Sequence, residues 1–271
     1  MDSGDTAWLL TSAALVLFMT PGLAFFYAGM VRSKNVLGML MQNIFAMGLI
    51  SVIWAAIGFS LAFGGDGSLI GNFDYAFVYD IAENEGMAFF AFQMMFAVIT
   101  PALITGATAD RLKFSGYAVF IAIWSVIVYS PVAHWVWDAG GWIFDMGALD
   151  FAGGAAIHIN AGIAALAVVT VVGQRRGHGS LPMTPHNLPF TVLGTGMLWF
   201  GWFGFNAGSA FAADGIAAQA MVNTHLAAAS GMLGWLAIER LKTCLLYTSP
   251  SPRDARKSRV CRLLLEKGGG G

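Results

Sequence analysis

The sequence predicts an all-α polytopic membrane protein, and three observations predict it. Of 271 residues, 57% are hydrophobic and only 11% charged, against roughly a quarter charged in an average soluble domain. Seven stretches, approximately 7–31, 35–63, 86–109, 114–137, 151–172, 188–213 and 215–238, contain no Asp, Glu, Lys or Arg. Each can cross a bilayer, since a helix rising about 1.5 Å per residue needs roughly 20 residues for the hydrocarbon. The basic residues of the connecting segments alternate, as they do when confined to one side of a membrane.

The first span follows Asp2 and Asp5 and contains Pro21. Residues 1–6 hold no basic n-region, so this span is expected to insert by itself and not as a cleavable signal. Arg32 and Lys34 follow it. The second span leads into a segment free of Lys and Arg that carries Asp66, Asp74, Asp80, Glu83 and Glu85. The third, with Pro101, ends before Arg111 and Lys113, and the fourth, with Pro131, before Asp138, Asp145 and Asp150. The fifth opens on Gly153-Gly154-Ala155-Ala156 and leads to Arg175 and Arg176. The sixth contains Gly201-Trp202-Phe203-Gly204 and leads to Asp214, and the seventh ends before Arg240 and Lys242. The basic residues of positions 1–243 thus all fall on one side. The positive-inside rule makes that side the cytoplasm and puts the N-terminus outside. Small residues let helix backbones approach closely in lipid, and neighbouring helices re-satisfy carbonyls freed by proline. The spans are therefore expected to form a packed bundle.

The near-neutral total charge conceals two parts. Residues 1–243 carry 8 basic and 13 acidic groups, a net of −5, and residues 244–271 carry 6 and 2, a net of +4. Both cysteines, Cys244 and Cys261, lie in that tail. The body has no thiol for a disulfide framework, a redox pair or a cysteine metal site. It also lacks HExxH, GxxxxGK[ST] and GxSxG signatures and any pair of carboxylates inside the spans. No enzyme, cofactor, metal site or nucleic-acid partner is expected. What the spans do hold is isolated polar groups, notably His158 in Ile157-His158-Ile159-Asn160 and His225 in Asn223-Thr224-His225. Ionisable residues inside a membrane are costly and point to function; a neutral histidine bonded to a neighbouring helix is the competing reading.

Five separated motifs then carry a family resemblance: Ala24-Phe25-Phe26-Tyr27-Ala28-Gly29-Met30-Val31-Arg32-Ser33-Lys34-Asn35-Val36, Gly147-Ala148-Leu149-Asp150-Phe151-Ala152-Gly153-Gly154, His158-Ile159-Asn160-Ala161, Pro185-His186-Asn187-Leu188-Pro189 and Gly201-Trp202-Phe203-Gly204-Phe205-Asn206-Ala207-Gly208-Ser209. In content and order, over residues 7 to 243, the chain resembles the Amt/Mep/Rh ammonium transporters. That resemblance implies an eleven-helix fold of two inverted five-helix halves plus a last helix, of which seven helices are present here. It also implies a homotrimer when full length, with a pore in each subunit, in the plasma membrane with the N-terminus outside.

The resemblance implies roles for seven residues. Trp137, at the outer end of the fourth span, corresponds to the indole of an external recruitment site, where its face attracts ammonium by about 0.5–2 kcal/mol. Ser209 accepts a hydrogen bond from the cation beside Trp137 and Phe92, and Phe96 and Phe205 stack below as a gate. Asp150 is placed like an N-cap of the fifth span, and the family's Asp there shapes the cation site without lining the pore. His158, eight residues on and about 12 Å deeper at 1.5 Å per residue, is one of two adjacent pore imidazoles. Without the resemblance, Trp137 reads as a tryptophan of the interfacial belt. The Phe92/Phe96 and Phe205/Ser209 pairs, each four residues apart and so on one helix face, then read as packing.

The implied mechanism is recruitment of ammonium, loss of its hydration, and deprotonation before or during passage, because a low-dielectric pore disfavours the charged form. Methylammonium is not distinguished from ammonium. A PII-type regulator on the cytoplasmic face is the partner family members often bind. The resemblance stops near Thr243. Residues 1–243 are expected to be a partial transporter domain lacking four helices and the second pore histidine. Residues 244–271 are expected to be a non-family basic tail, resembling read-through or adapter-derived sequence, with a disordered regulatory segment as the alternative. On this reading the chain by itself is inactive. An ammonium sensor of the same family and a seven-helix receptor are the other readings; a retinal protein would need a lysine inside a late span, and none has one.

Overall fold

The computed structural model describes residues 2–82 and 85–242. Glu83, Cys244, Cys261 and the tail proposed for 244–271 lie outside the described residues. The chain divides into two units, Met1–Met221 and Val222–Gly271. In the first unit the described residues are helices and connecting turns.

Helix α1 spans Ser3–Met30. The Asp2 carboxylate starts it by accepting the Asp5 amide at 2.8 Å, and the Asp5 side chain reaches back to the Asp2 amide, a reciprocal cap that satisfies two end donors. Helix α2 spans Ser33–Phe63, with one wide π-helical turn over Trp54–Gly58. Helix α3 spans Glu85–Thr108 and is the most enclosed of the apolar helices.

Helix α4 covers 114–137. It widens into a π-turn over Ser125–Tyr129 directly before Pro131, whose ring cannot donate a hydrogen bond and crowds the carbonyl four residues back. Helix α5 spans Gly154–Val172. Helix α6 spans Leu188–Ala207 and ends in a single 3₁₀ turn, Gly208–Ala210. These six are long and apolar enough to cross a membrane. The seventh expected span is also helical, α7 over Gly215–Lys242, but Gln219, Asn223, Thr224 and His225 make it more polar than the rest.

The prediction that glycines would bring helices together holds between α1 and α6. A Cβ on Gly204 would lie 2.6 Å from Leu15 Cβ, one on Gly22 2.8 Å from Met197 Cβ, and one on Gly194 2.5 Å from the Gly22 carbonyl oxygen. No real side chain tolerates such distances, so the two backbones touch only because these positions lack a Cβ. This seam fixes the height at which α6 presents its last turn.

Loop charges knit the opposite end. Asp110, in the left-handed region at φ 62°, holds Arg32 at 2.6 Å and Lys34 at 3.3 Å with its side chain 5% exposed. Arg32 also donates to the Arg176 carbonyl at 3.2 Å, and Arg175 donates to that of Gly106 at 2.9 Å. The basic segments after the first, third and fifth spans therefore meet on one face, as their alternation requires. Burial pushes the Asp110 carboxyl up, but the neighbouring Asn35 amide, the contacts from Arg32 and Lys34 and the charge of Arg32 outweigh it and hold the group below the usual carboxylate value. At the other end, His134 lies fully buried between a carbonyl of the last turn of α2 and one of the segment that follows it. Its Nδ1 is 2.9 Å from Ala62 O and its Nε2 bonds to Gly67 O, which fastens that segment to α4.

Candidate functional site

The first half of α3, the last turns of α4 and α6 and the segment before α5 enclose a cavity of about 370 Å³. Phe92, Phe96, Trp137, Asp150 and Ser209, five of the seven sequence-predicted residues, line it together. His158 and Phe205 are not in its wall. Leu149, fully solvent-exposed, marks its rim.

Each side chain is held for an identifiable reason. Asp150 precedes α5 and takes four amides at the helix start: Oδ1 accepts from Gly153 and Gly154 at 2.7 Å each, Oδ2 from Ala155 and Ala156 at 2.9 Å each. These are the donors a helix N-terminus leaves unpaired; Gly153 occupies the N-cap position itself, and the Asp150 carboxylate caps the helix from three residues before it. Gly153, at φ 91°, makes the tight entry where an L side chain would be strained. Asp150 borders the cavity while its carboxylate is occupied by backbone. Its carbonyl oxygen accepts the indole hydrogen of Trp137 at 2.9 Å, which locks the end of α4 to the start of α5 and fixes the plane of the ring.

Ser209 sits one turn beyond Phe205. Its hydroxyl donates to the Phe205 carbonyl at 2.9 Å, and with that hydrogen committed the oxygen has only lone pairs left to offer. The site thus combines an acceptor, an indole and phenyl rings. Phe92 and Phe96 are both buried, with centroids 4.7 Å apart. Phe96 meets the Trp137 ring edge-on at 6.0 Å and packs against Phe205 at 4.5 Å, tilted by 50°. Such a site favours a small cation that can donate hydrogen bonds.

Phe205 leads on to His158. The imidazole lies 5.7 Å from the Phe205 ring and 5.7 Å from Trp202, to which it is nearly parallel at 9°. Its Nε2 is buried and has no hydrogen-bond partner among the described residues. A wide turn opens α5 here, with the His158 amide bonded to Gly153 O five residues back at 3.0 Å; such π-turns recur at functional sites.

Sequence reasoning missed Gln93, Phe211 and Trp202. Gln93 lines the cavity with Phe89, Phe92 and Phe96, and positions 89, 92, 93 and 96 follow the helical i, i+3, i+4, i+7 repeat that could have flagged it. Phe211 packs on Phe92 at 5.8 Å and on Phe89 at 5.5 Å. It stands at φ 57°, a conformation no pattern announces for an aromatic residue. No group of three or more His, Cys, Asp or Glu among the described residues is arranged to hold a metal.

The profile of the Ammonium Transporter Family matches residues 7–248. An ammonium transporter of Mycobacterium tuberculosis is 50% identical over 273 residues, covering 89% of this chain and 57% of that protein. One from Bacillus subtilis is 45% identical over 247 residues, covering 88% and 60%. Among solved structures, Candida albicans Mep2 superposes with a TM-score of 0.84 at 35% identity, covering 89% of this chain and 56% of Mep2. A structure titled Sensor Amt Protein gives 0.85 at 31% identity, covering 90% and 64%. The chain spans about three-fifths of the length of the curated relatives it matches.

Proposed function

Because the chain belongs to the ammonium transporter family, we propose that its cavity recruits ammonium from outside the cell for passage along the path Phe96, Phe205, His158. The observation that carries this reading is the committed Ser209 hydroxyl. It leaves an acceptor in an aromatic cavity whose one carboxylate among the described residues, that of Asp150, is tied up by four amides. The cation donates to Ser209 and rests against the faces of Trp137 and Phe92. The Phe96/Phe205 pair blocks water and hydrated ions. Beyond it the surroundings are apolar, so ammonium gives up a proton to His158 Nε2, which has no partner among the described residues, and neutral ammonia continues. His158 can receive that proton, since a neutral imidazole has both a donor and an acceptor nitrogen.

In this reading the N-terminus is outside and the Arg32, Lys34, Asp110 cluster faces the cytoplasm, where a PII-type regulator would dock on a homotrimer. Residues 1–243 form the transporter part and 244–271 do not belong to it. Ile159, Ile163 and Leu166 on α5 are each more than 60% exposed, apolar faces that lipid or further helices would cover. The chain alone is inactive on this proposal, because the path beside His158 is unclosed on that side.

The test is uptake of labelled methylammonium by cells without ammonium transporters of their own. They would carry a chimera of residues 1–243 and the remaining helices of the Mycobacterium tuberculosis relative. The chimera takes up the label, and the Trp137→Ala, His158→Ala double variant does not. Undiminished uptake by that variant would sink the site assignment, and saturable uptake by the chain alone would sink its inactivity. The structure titled Sensor Amt Protein favours one second reading, an ammonium sensor using the same cavity, in which the chimera binds the cation without accumulating it.

A further inference from the structure

One polar group in the cavity wall has no role in the path just described. Gln93 is 4% exposed, lines the cavity beside Phe92 and Phe96, and its side-chain oxygen is buried with no hydrogen-bond partner among the described residues. Leaving a buried amide oxygen unpaired is costly. An apolar residue in the same place would complete an aromatic stripe of Phe89, Phe92 and Phe96 at no such cost. Retaining the amide is explained by a donor that arrives from the cavity. The other acceptor of the wall, the Ser209 oxygen, is in the same position of having lone pairs and no donor among the described residues.

We propose that Gln93 Oε1 is a second acceptor for the bound cation, and that the Gln93/Ser209 pair selects cations with at least two N–H bonds. The proposal rests on the reading of this cavity as a cation site. Ammonium has four N–H bonds and serves both oxygens. Dimethylammonium has two and can still do so. Trimethylammonium has one, satisfies a single acceptor and leaves the other buried and unpaired. Methylation also adds apolar surface that aromatic walls favour, so the acceptor pair is what sets the penalty at the last N–H.

The test is equilibrium binding by the whole chain in lipid nanodiscs. Its readout is the concentration of ammonium, dimethylammonium or trimethylammonium chloride that gives the half-maximal rise in melting temperature, with sodium chloride holding ionic strength constant. Gln93→Leu is expected to raise the half-saturating concentration of ammonium and of dimethylammonium about tenfold, the loss of one hydrogen bond to a charged group. Trimethylammonium, already limited to one acceptor, stays unchanged, so the gap between the two- and one-donor cations closes. Gln93→Glu, which keeps an oxygen at similar reach, retains ammonium binding. Should Gln93→Leu fail to fold, Gln93→Met, unbranched and of similar length, replaces it. Equal shifts for all three cations, or none, would overturn the proposal. If Ser209→Ala weakens binding while Gln93→Leu does not, Gln93 alone is excluded. No response to any cation from the unsubstituted chain would remove the cavity reading and Gln93 with it.

Discussion

Ser209 donates its hydroxyl hydrogen to the carbonyl of Phe205 one turn earlier, at 2.9 Å, and this bond gives the cavity its polarity. A serine free to rotate could donate as readily as accept and would suit an anion as well as a cation. Tied to Phe205 it can only accept. The same bond couples the proposed binding position to Phe205, which packs on Phe96 at 4.5 Å and neighbours His158 at 5.7 Å.

Trp137 has two separable roles, and substitutions should separate them. Its indole hydrogen is bonded to the Asp150 carbonyl, and its face lines the cavity. Trp137→Phe keeps an aromatic face and loses the bond; Trp137→Leu loses both. Ammonium binding to the chain in nanodiscs should weaken modestly in the first and by about ten- to thirtyfold in the second, the upper part of a desolvated cation–π contribution. Equal affinities for the two variants would place the weight on the hydrogen bond instead.

Asp150 should matter more to stability than its position beside the proposed cation site suggests. Asp150→Ala strips four amides of their acceptor and should cost about 2 kcal/mol, the upper range for an N-cap. Asp150→Asn should recover only part of that, because its NH₂ faces amide donors. Thermal unfolding in nanodiscs measures both, and an unchanged melting temperature for Asp150→Ala would contradict the capping role.

At the basic end, Asp110 predicts a pH dependence. Its carboxyl is held below the ordinary value, so its contribution is fully present above the unfolded-state value. It is lost as pH falls through the lower, folded-state value. Acid unfolding monitored by circular dichroism should lose this acid-sensitive component in Asp110→Asn. At neutral pH that variant should be destabilised by about 3 kcal/mol, because Arg32 is left partly buried and unpaired. A variant with the stability and acid sensitivity of the parent would show that the cluster contributes nothing.

The glycine seam makes the sharpest packing prediction. Gly204→Val places a branched side chain where a Cβ alone would already sit 2.6 Å from Leu15 Cβ. Gly196 and Gly234, whose Cβ would meet nothing within 4 Å, are the controls. Gly204→Val should destabilise by about 1–3 kcal/mol or more through overpacking and displace Ser209 from the cavity, whereas Gly196→Ala should be neutral or slightly stabilising. Melting temperatures decide it, and a harmless Gly204→Val would mean that α1 and α6 are not in contact.

What the sequence made legible follows from where the physics is local. Charge-free runs mark α1 to α6, because hydrocarbon admits few unpaired charges. Arg32, Arg111 and Arg175 report a shared face because the sorting acts on each connecting segment. Asp150 is readable as a cap since capping depends on residues that follow directly. The wide turns at Trp54–Gly58, Ser125–Tyr129 and the start of α5 are different. They depend on packing between helices, and Pro131 alone hints at one. Phe211 enters the cavity through a backbone conformation that sequence patterns assign to glycine. Gln93 is one polar interruption in an apolar span, and only its place in the cavity wall gives it meaning.

The most direct test of the account is ammonium binding to the chain with Ser209 replaced by alanine, a change that removes one acceptor and little volume. The unsubstituted chain should bind ammonium saturably. Ser209→Ala should need about ten- to a hundredfold more, the range for losing a hydrogen bond to a charged group, with the melting temperature without ligand unchanged. Saturable binding of equal strength by both would contradict the assignment of this cavity as the ammonium site.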